Sequence, residues 1–177
     1  MNLLDHTHSE RLERLARRLE GNDCISILFV CLGNICRSPA ADALMRAKLK
    51  AGGARRIGCV DSAGIGGWHV GDLPDRRMRV HGRRRGLEID HVCRQISRSD
   101  FDRFDIIIGM DARNMRDLRS MAATIEEEEK VYAMAEFFTP GSVFDCVPDP
   151  YYGGAEGFEN VLDLLDEATG NIADTLG

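Results

Sequence analysis

Ile25-Ser26-Ile27-Leu28-Phe29-Val30-Cys31-Leu32-Gly33-Asn34-Ile35-Cys36-Arg37-Ser38-Pro39 changes character twice within a short span. It opens as a run of β-branched and large apolar residues, long enough for one fully buried strand. It breaks at Gly33-Asn34, two residues that tolerate positive φ. It restarts as a helix, with Ser38 as the expected N-cap and Pro39 at the first helical position. A tight loop between a buried strand and a helix N-terminus points successive backbone N–H groups inward, forming a nest for an anion of phosphate size.

Inside that nest sit a thiol, Cys31, and a guanidinium, Arg37. Only the thiolate of a cysteine attacks, and the helix dipole, the N–H donors and Arg37 all favour that anion. Arg37 grips two phosphate oxygens with its planar fork, which a lysine cannot do. Ser38 places a hydroxyl where it can hydrogen-bond the sulfur as it leaves a phosphoenzyme. No Gly-Lys-Ser/Thr follows the glycine, so this is not a Walker nucleotide loop. The competing reading is a buried strand that ends in an ordinary turn with two inert thiols.

Working outward, strand and helix signals alternate. Residues 1–23 precede the motif, and Leu12, Leu15, Ala16 and Leu19 fall at helical spacing before Gly21. This extension is expected either to pack on the domain or a partner, or to be a partly ordered leader. After the nest, Pro39 to Lys50 reads as a helix with Ala43, Leu44 and Ala47 on one face. Ile57 to Val60 reads as a second strand and Pro74 to Arg85 as a helix. Phe104 to Met110 reads as a third strand, and Asp111 caps a helix running to Met121. Lys130 to Ala133 is a candidate fourth strand. Phe158 to Thr175 carries Val161, Leu162, Leu165, Ala168 and Ile172 on one stripe, a terminal helix. The pattern predicts an α/β fold: a single three-layer domain over residues 24–177, with a four-stranded parallel sheet flanked by helices. Sites in such folds lie at the carboxyl ends of the strands, where Cys31 and Asp111 both fall.

Composition narrows the function. The 177 residues suffice for one domain with a sizeable core, and a net charge of −6 argues against non-specific nucleic-acid binding. Six cysteines are dispersed without zinc-type pairs, and neither a signal peptide nor a long apolar run is evident. A reduced cytoplasmic protein is therefore expected, with no membrane and no nucleic acid as partner. A monomer is expected, with a weak dimer as the alternative.

At Cys31-Leu-Gly-Asn-Ile-Cys-Arg-Ser38-Pro39 the chain resembles the phosphate-binding loop of low-molecular-weight protein tyrosine phosphatases. Asp61-Ser62-Ala63, Trp68, His91, Met110-Asp111 and Asp149-Pro150-Tyr151-Tyr152 extend the resemblance from about Ile25 to the C-terminus. It does not cover the first two dozen residues and is loose between Ser120 and Val147. The resemblance implies a flavodoxin-like, phosphotyrosine phosphatase I-like fold and hydrolysis of phosphotyrosine esters through a cysteinyl-phosphate intermediate. It implies Cys31, Arg37 and Asp149 as catalytic. Leu32, Gly33, Asn34, Ile35, Cys36 and Ser38 would form the phosphate loop, with Ser62 and His91 bracing Asn34. No cofactor or metal is expected, because Arg37 and the backbone N–H groups balance the charge. Phosphotyrosine proteins are the expected substrates, with inorganic phosphate or vanadate as competitive ligands.

Cleaving a phosphate ester needs a proton for the leaving oxygen and later a base for water, and Asp149, between Pro148 and Pro150, is the candidate for both. Tyr151 and Tyr152 would wall the cleft, and the resemblance allows their own phosphorylation. Trp68 is either the opposite wall, stacking on a phosphotyrosine ring, or a packed core aromatic. Arg76, Arg77, Arg79, Arg83, Arg84 and Arg85 form either a solvated helix face or a docking site for acidic phosphopeptides. Glu126 to Glu129 either pairs with that run or is exposed. Cys36 is read as a thiol that resolves a peroxide-oxidised Cys31 as a disulfide, or else as packing beneath the loop.

Three other functions compete. A thioredoxin-coupled arsenate reductase needs two further neighbouring cysteines, and Cys93 and Cys146 lie far apart in sequence. A protein-arginine phosphatase carries threonine where Ile35 sits. A non-catalytic phosphotyrosine-binding or redox-sensing module would not need Cys31, Arg37, Ser38 and Asp149 together.

Overall fold

The computed structural model describes the backbone of residues 3–177 and the side chains of residues 10–177. In chain order the elements are α1 (Leu3–Arg18), β1 (Ile25–Cys31), α2 (Arg37–Lys50), β2 (Ile57–Gly64), α3 (Arg76–Arg84) and α4 (Asp100–Arg103). There follow β3 (Ile106–Gly109), α5 (Ala112–Met121), α6 (Ile125–Glu128), β4 (Val131–Ala133), a 3₁₀ turn (Met134–Phe137) and α7 (Ala155–Leu176). The sheet runs β2-β1-β3-β4 with every pair parallel.

Strand alternation divides the core between the two faces of this sheet. Ile25, Ile27, Phe29 and Cys31 of β1 join Ile106, Ile108 and Tyr132 on the face covered by α2 and α7. Leu28 and Val30 join Ile107 and Val131 on the other face, with Phe101, Phe104, Met115 and Leu118 from α4, α5 and the chain entering β3. The central strands are buried on both sides, which is why they read as continuous apolar runs. The stripe on α7 is buried at Val161, Leu162, Leu165, Ala168 and Ile172. No helix of the described residues is long and apolar enough to cross a membrane.

Several local expectations change. α2 begins at Arg37, and Cys36 stands at its N-cap without a side-chain cap. Ser38 therefore lies inside the first turn, because its hydroxyl is drawn into the loop before it. Pro39 is still tolerated there, since first-turn N–H groups have no intrahelical acceptor. The buried face of α2 comprises Ala40, Ala41, Leu44 and Met45, whereas Ala47 is exposed. Wedging between the sheet and α7 selects this wider face. β2 extends to Gly64, beyond the apolar run that marks its start.

The N-terminal helix packs on the main core. Leu15 and Leu19 are buried in the cluster beneath α2 and α7, while Leu12 and Ala16 are partly covered. Burying each leucine contributes about 1.5–3 kcal/mol. Arg11 donates to the Val131 carbonyl (2.7 Å) and Arg18 to the Asp105 carbonyl (2.9 Å), tying α1 to the starts of β4 and β3.

Candidate active site

β1 delivers Cys31 to the carboxyl edge of the sheet, and the chain then turns around a point rather than running on. The turn is held from outside by its carbonyls. Cys31 O accepts from Ile65 N (2.9 Å), Leu32 O from Gly66 N (2.8 Å) and Ile35 O from Asp75 N (2.8 Å). Asn34 O accepts from the Cys93 thiol at 2.9 Å. Among the described residues, none accepts a hydrogen bond from the backbone N–H groups of residues 32–36. With the carbonyls occupied on the outer side, those donors remain for an anion in front of Cys31. The β2 end must come very close for this. A Cβ on Gly64 would sit 2.9 Å from Asn34 N and from the Gly33 carbonyl carbon, so only glycine fits.

Asn34 carries the left-handed bend, with φ at 58°. Its side chain is fully buried and fully used. Nδ2 donates to Ser38 Oγ (2.9 Å) and Ser62 Oγ (3.0 Å). Oδ1 lies 2.9 Å from His91 Nε2 and accepts from Arg94 N at 3.0 Å. Since Oδ1 can only accept, His91 carries its proton on Nε2. Burial foremost, together with Arg46 and Arg94, holds the His91 pKa below its ordinary value despite nearby Asp61, which favours the neutral ring. Ser38 Oγ completes the network, lying 3.1 Å from Cys31 Sγ and 3.2 Å from the Ala63 carbonyl. Asn34→Ala would strand His91 and the Arg94 N–H and put a Cβ without a polar partner at positive φ. We expect a loss of about 2–4 kcal/mol of stability, read by urea unfolding. A loss below about 0.5 kcal/mol would mean that the bend is held by its carbonyl contacts alone.

Arg37 is buried and held on three sides. Its Nη1 donates to Asp111 Oδ2 (2.6 Å) and the Val147 carbonyl (3.2 Å), and its Nη2 to Asp149 Oδ2 (3.1 Å). Burial alone would lower the Arg37 pKa, but Cys31, Asp111 and Asp149 raise it and keep the guanidinium charged. Asp111 has two tasks: Oδ1 caps α5 through Asn114 N (2.8 Å), while Oδ2 aims Arg37. Burial pushes its pKa up, yet the Asn114 N–H and Arg37 hold it below the usual carboxylate range. Val147 joins both halves of the site, because its own N–H bonds Met110 O at the end of β3 (2.9 Å).

Cys31, Leu32, Gly33, Ile35, Cys36 and Arg37 form the floor of a cleft of about 220 Å³, whose walls are Trp68, His69, Asp149, Tyr151 and Tyr152. Trp68 is 71 % exposed, so it is a wall and not a core aromatic. Its ring lies over Gly66, where a Cβ would fall 1.7 Å from the indole. Tyr151 and Tyr152 meet edge to face at 5.0 Å. Ser62, His91 and Asn34 lie behind the loop, outside the cleft lining.

Cys31 and Cys36 are both free and buried. Burial foremost, then Asp75, Cys31 and Asp149, raises the Cys36 pKa and keeps that sulfur a thiol. His69, Arg94 and Val147 escaped the sequence reading, and Cys93 entered it only as a candidate redox cysteine. Only His69, beside Trp68 in the glycine-rich stretch, carried a local signal. Glu127 pairs with Arg98 (2.7 Å), and among the described residues no ion pair joins Glu126–Glu129 to the Arg76–Arg85 cluster.

Residues 26–177 match the family model "Low molecular weight phosphotyrosine protein phosphatase". A low molecular weight phosphotyrosine protein phosphatase of Schizosaccharomyces pombe is 44 % identical over 144 residues, covering 80 % of this chain and 91 % of its own. A low molecular weight protein-tyrosine-phosphatase of Streptomyces coelicolor is 41 % identical over 150 residues, covering 83 % and 91 %. The crystal structure of a protein tyrosine phosphatase from Entamoeba histolytica, with Hepes in its active site, superposes with a TM-score of 0.79 at 40 % identity. That match covers 84 % of this chain and 94 % of the other.

Proposed function

The chain belongs to the low molecular weight phosphotyrosine protein phosphatase family, and from that premise we propose that Cys31, Arg37 and Asp149 divide its chemistry among them. It is a protein-tyrosine phosphatase that hydrolyses phosphotyrosine esters through a cysteinyl-phosphate intermediate. Cys31 is the nucleophile, Arg37 the phosphate clamp and Asp149 the proton donor. The observation that carries these assignments is the ring of uncommitted N–H groups at residues 32–36 around Cys31, with Arg37 linking it to Asp149.

The phosphoryl group binds in the nest, its equatorial oxygens against the N–H donors and the Arg37 fork. Cys31 Sγ attacks phosphorus in line as the P–O bond to tyrosine breaks, and Asp149 protonates the departing phenolate oxygen. Asp149 then takes a proton from water as that water attacks phosphorus and the S–P bond breaks. The sulfur leaves as a thiolate, accepting from Ser38 Oγ, 3.1 Å away. Leu32, Gly33, Ile35 and Cys36 supply backbone donors. Asn34, braced by Ser62 and His91, fixes their direction.

Phosphotyrosine-containing proteins are the substrate class, with inorganic phosphate or vanadate competing for the nest. The Trp68, Tyr151 and Tyr152 walls hold a flat ring and keep the nest beyond the reach of a short phosphoserine. On matched peptides, kcat/KM for phosphotyrosine should exceed that for phosphoserine by at least about 100-fold. Comparable values would overturn the depth argument. Preference for phosphoarginine would assign the apolar Ile35 side chain the opposite specificity. None of the six cysteines is in a disulfide, which supports action in a reducing compartment such as the cytoplasm.

A further inference from the structure

Arg77 belongs to an arginine-rich helix face, yet it differs from its neighbours there. Arg76, Arg83 and Arg84 are exposed on α3, and none of the three hydrogen-bonds through its side chain to a described residue; Arg83 makes only a 4.0 Å ion pair with Glu88. The Arg77 guanidinium is engaged on every edge. Nε and Nη2 fork onto Asp75 at 3.1 and 2.8 Å, and Nη1 donates to the Tyr151 carbonyl at 2.9 Å. Its carbon lies 5.2 Å from the Tyr151 ring centroid and 4.9 Å from that of Phe158, at the start of α7.

Those contacts close a circuit around the cleft. Asp75, which caps α3 by accepting from Arg77 N (2.8 Å), gives its own N–H to Ile35 O in the phosphate loop (2.8 Å). Asp75 grips Arg77, Arg77 grips the Tyr151 carbonyl, and the Tyr151 N–H donates to Asp149 Oδ1 at 3.1 Å. The other oxygen of Asp149 returns to Arg37. Among the described residues, Arg77 is the only side chain outside the loop that hydrogen-bonds to residues 150–153. Asp149 otherwise sits on a surface segment between two prolines, with about 40 % of its side chain exposed.

The geometry points to Arg77 as a positioning residue that registers the proton-donating loop against the phosphate loop. This rests on the reading of Asp149 as the proton donor. Arg77 touches no reacting atom. By fixing the Tyr151 peptide it sets where the Asp149 carboxyl meets the leaving oxygen, a placement to which proton transfer is steeply sensitive. The arginine cluster therefore contains, beside Arg85 held by Glu159 and Asp163, one half-exposed clamp, Arg77, that ties the two loops together.

Leaving-group dependence separates this role from mere support of the fold. The second-order constant kcat/KM reports the step in which the aryl oxygen departs. A p-nitrophenolate leaves with little help, whereas a phenolate needs its proton. In Arg77→Ala, the kcat/KM ratio of p-nitrophenyl phosphate to phenyl phosphate should rise about tenfold over wild type, with the melting temperature within a few degrees. Arg77→Lys keeps the charge but loses the fork and the stacking, so its ratio should stay raised. A wild-type ratio in Arg77→Ala, or full restoration in Arg77→Lys, would overturn the clamp. Asp149→Asn, measured alongside, separates the two readings. If its ratio rises while that of Arg77→Ala does not, the clamp alone fails; if its ratio does not rise, the proton donor fails and takes the clamp with it.

Discussion

Cys31→Ser is expected to lower kcat on p-nitrophenyl phosphate by at least about 10⁴-fold while leaving phosphate binding largely intact. The two halves of this expectation have different physical sources. Attack on phosphorus needs an anion, and a serine hydroxyl in the same place is far harder to ionise than a thiol. Binding relies on groups the substitution does not touch: the free N–H donors of residues 32–36, and Arg37 held by Asp111 and the Val147 carbonyl. The neighbouring hydroxyl, Ser38 Oγ, keeps its bond to Asn34 whatever occupies position 31. The fold should be preserved, since sulfur-to-oxygen exchange removes little volume and the position retains a hydrogen-bonding neighbour. Titration calorimetry with phosphate or vanadate, beside a turnover assay, reads both halves. Turnover above about 1 % of wild type would place the nucleophile elsewhere, and loss of phosphate binding would mean that the sulfur, not the nest, holds the anion. With both halves intact, the variant would retain phosphotyrosine proteins and so capture the physiological substrate.

The parts of this protein that were legible in its sequence are those that depend on neighbours along the chain. Ile25 to Cys31 reads as a strand because both faces of β1 are buried, leaving no polar alternation to obscure it. The α5 cap at Asp111 and the apolar stripe of α7 are likewise local signals. The resemblance around Cys31–Ser38 drew Asn34, Ser62 and His91 together although they are scattered along the chain. Contacts made only by tertiary approach left no such trace. Nothing near Val147 indicates that its carbonyl steers Arg37, and nothing near Cys93 indicates that its thiol holds the Asn34 carbonyl. Ser38 shows how a sound local rule loses. A serine before a proline is a good N-cap by propensity, but Asn34, Cys31 and the Ala63 carbonyl all lie within reach of its hydroxyl, and the helix starts earlier. The Arg76–Arg85 run failed in the opposite sense. Composition treats its members alike, whereas Arg77 is committed to Asp75 and Tyr151, and Arg85 to Glu159 and Asp163 (2.6 Å to the latter).

Asp149→Asn should reduce kcat/KM for phosphotyrosine and phenyl phosphate by about 10²–10⁴-fold, the range for removal of a positioned acid. The amide is nearly isosteric and cannot donate a proton to the leaving oxygen. It can still accept from Tyr151 N–H, but the amide nitrogen then faces Arg37 Nη2, where the carboxylate oxygen accepts at 3.1 Å. Two donors facing one another would loosen that edge of the cleft, while Arg37 remains anchored by Asp111 at 2.6 Å and its hold on phosphate persists. The substitution should therefore act on the transition state more than on binding, lowering kcat/KM without a matching loss of phosphate affinity. Hydrolysis of the cysteinyl phosphate should slow too, because the same carboxylate draws a proton from the attacking water. A rapid burst of p-nitrophenolate followed by slow turnover would expose that second deficit in a single trace. Wild-type kcat/KM on phenyl phosphate would remove Asp149 from proton transfer and leave it as a partner of Arg37 alone.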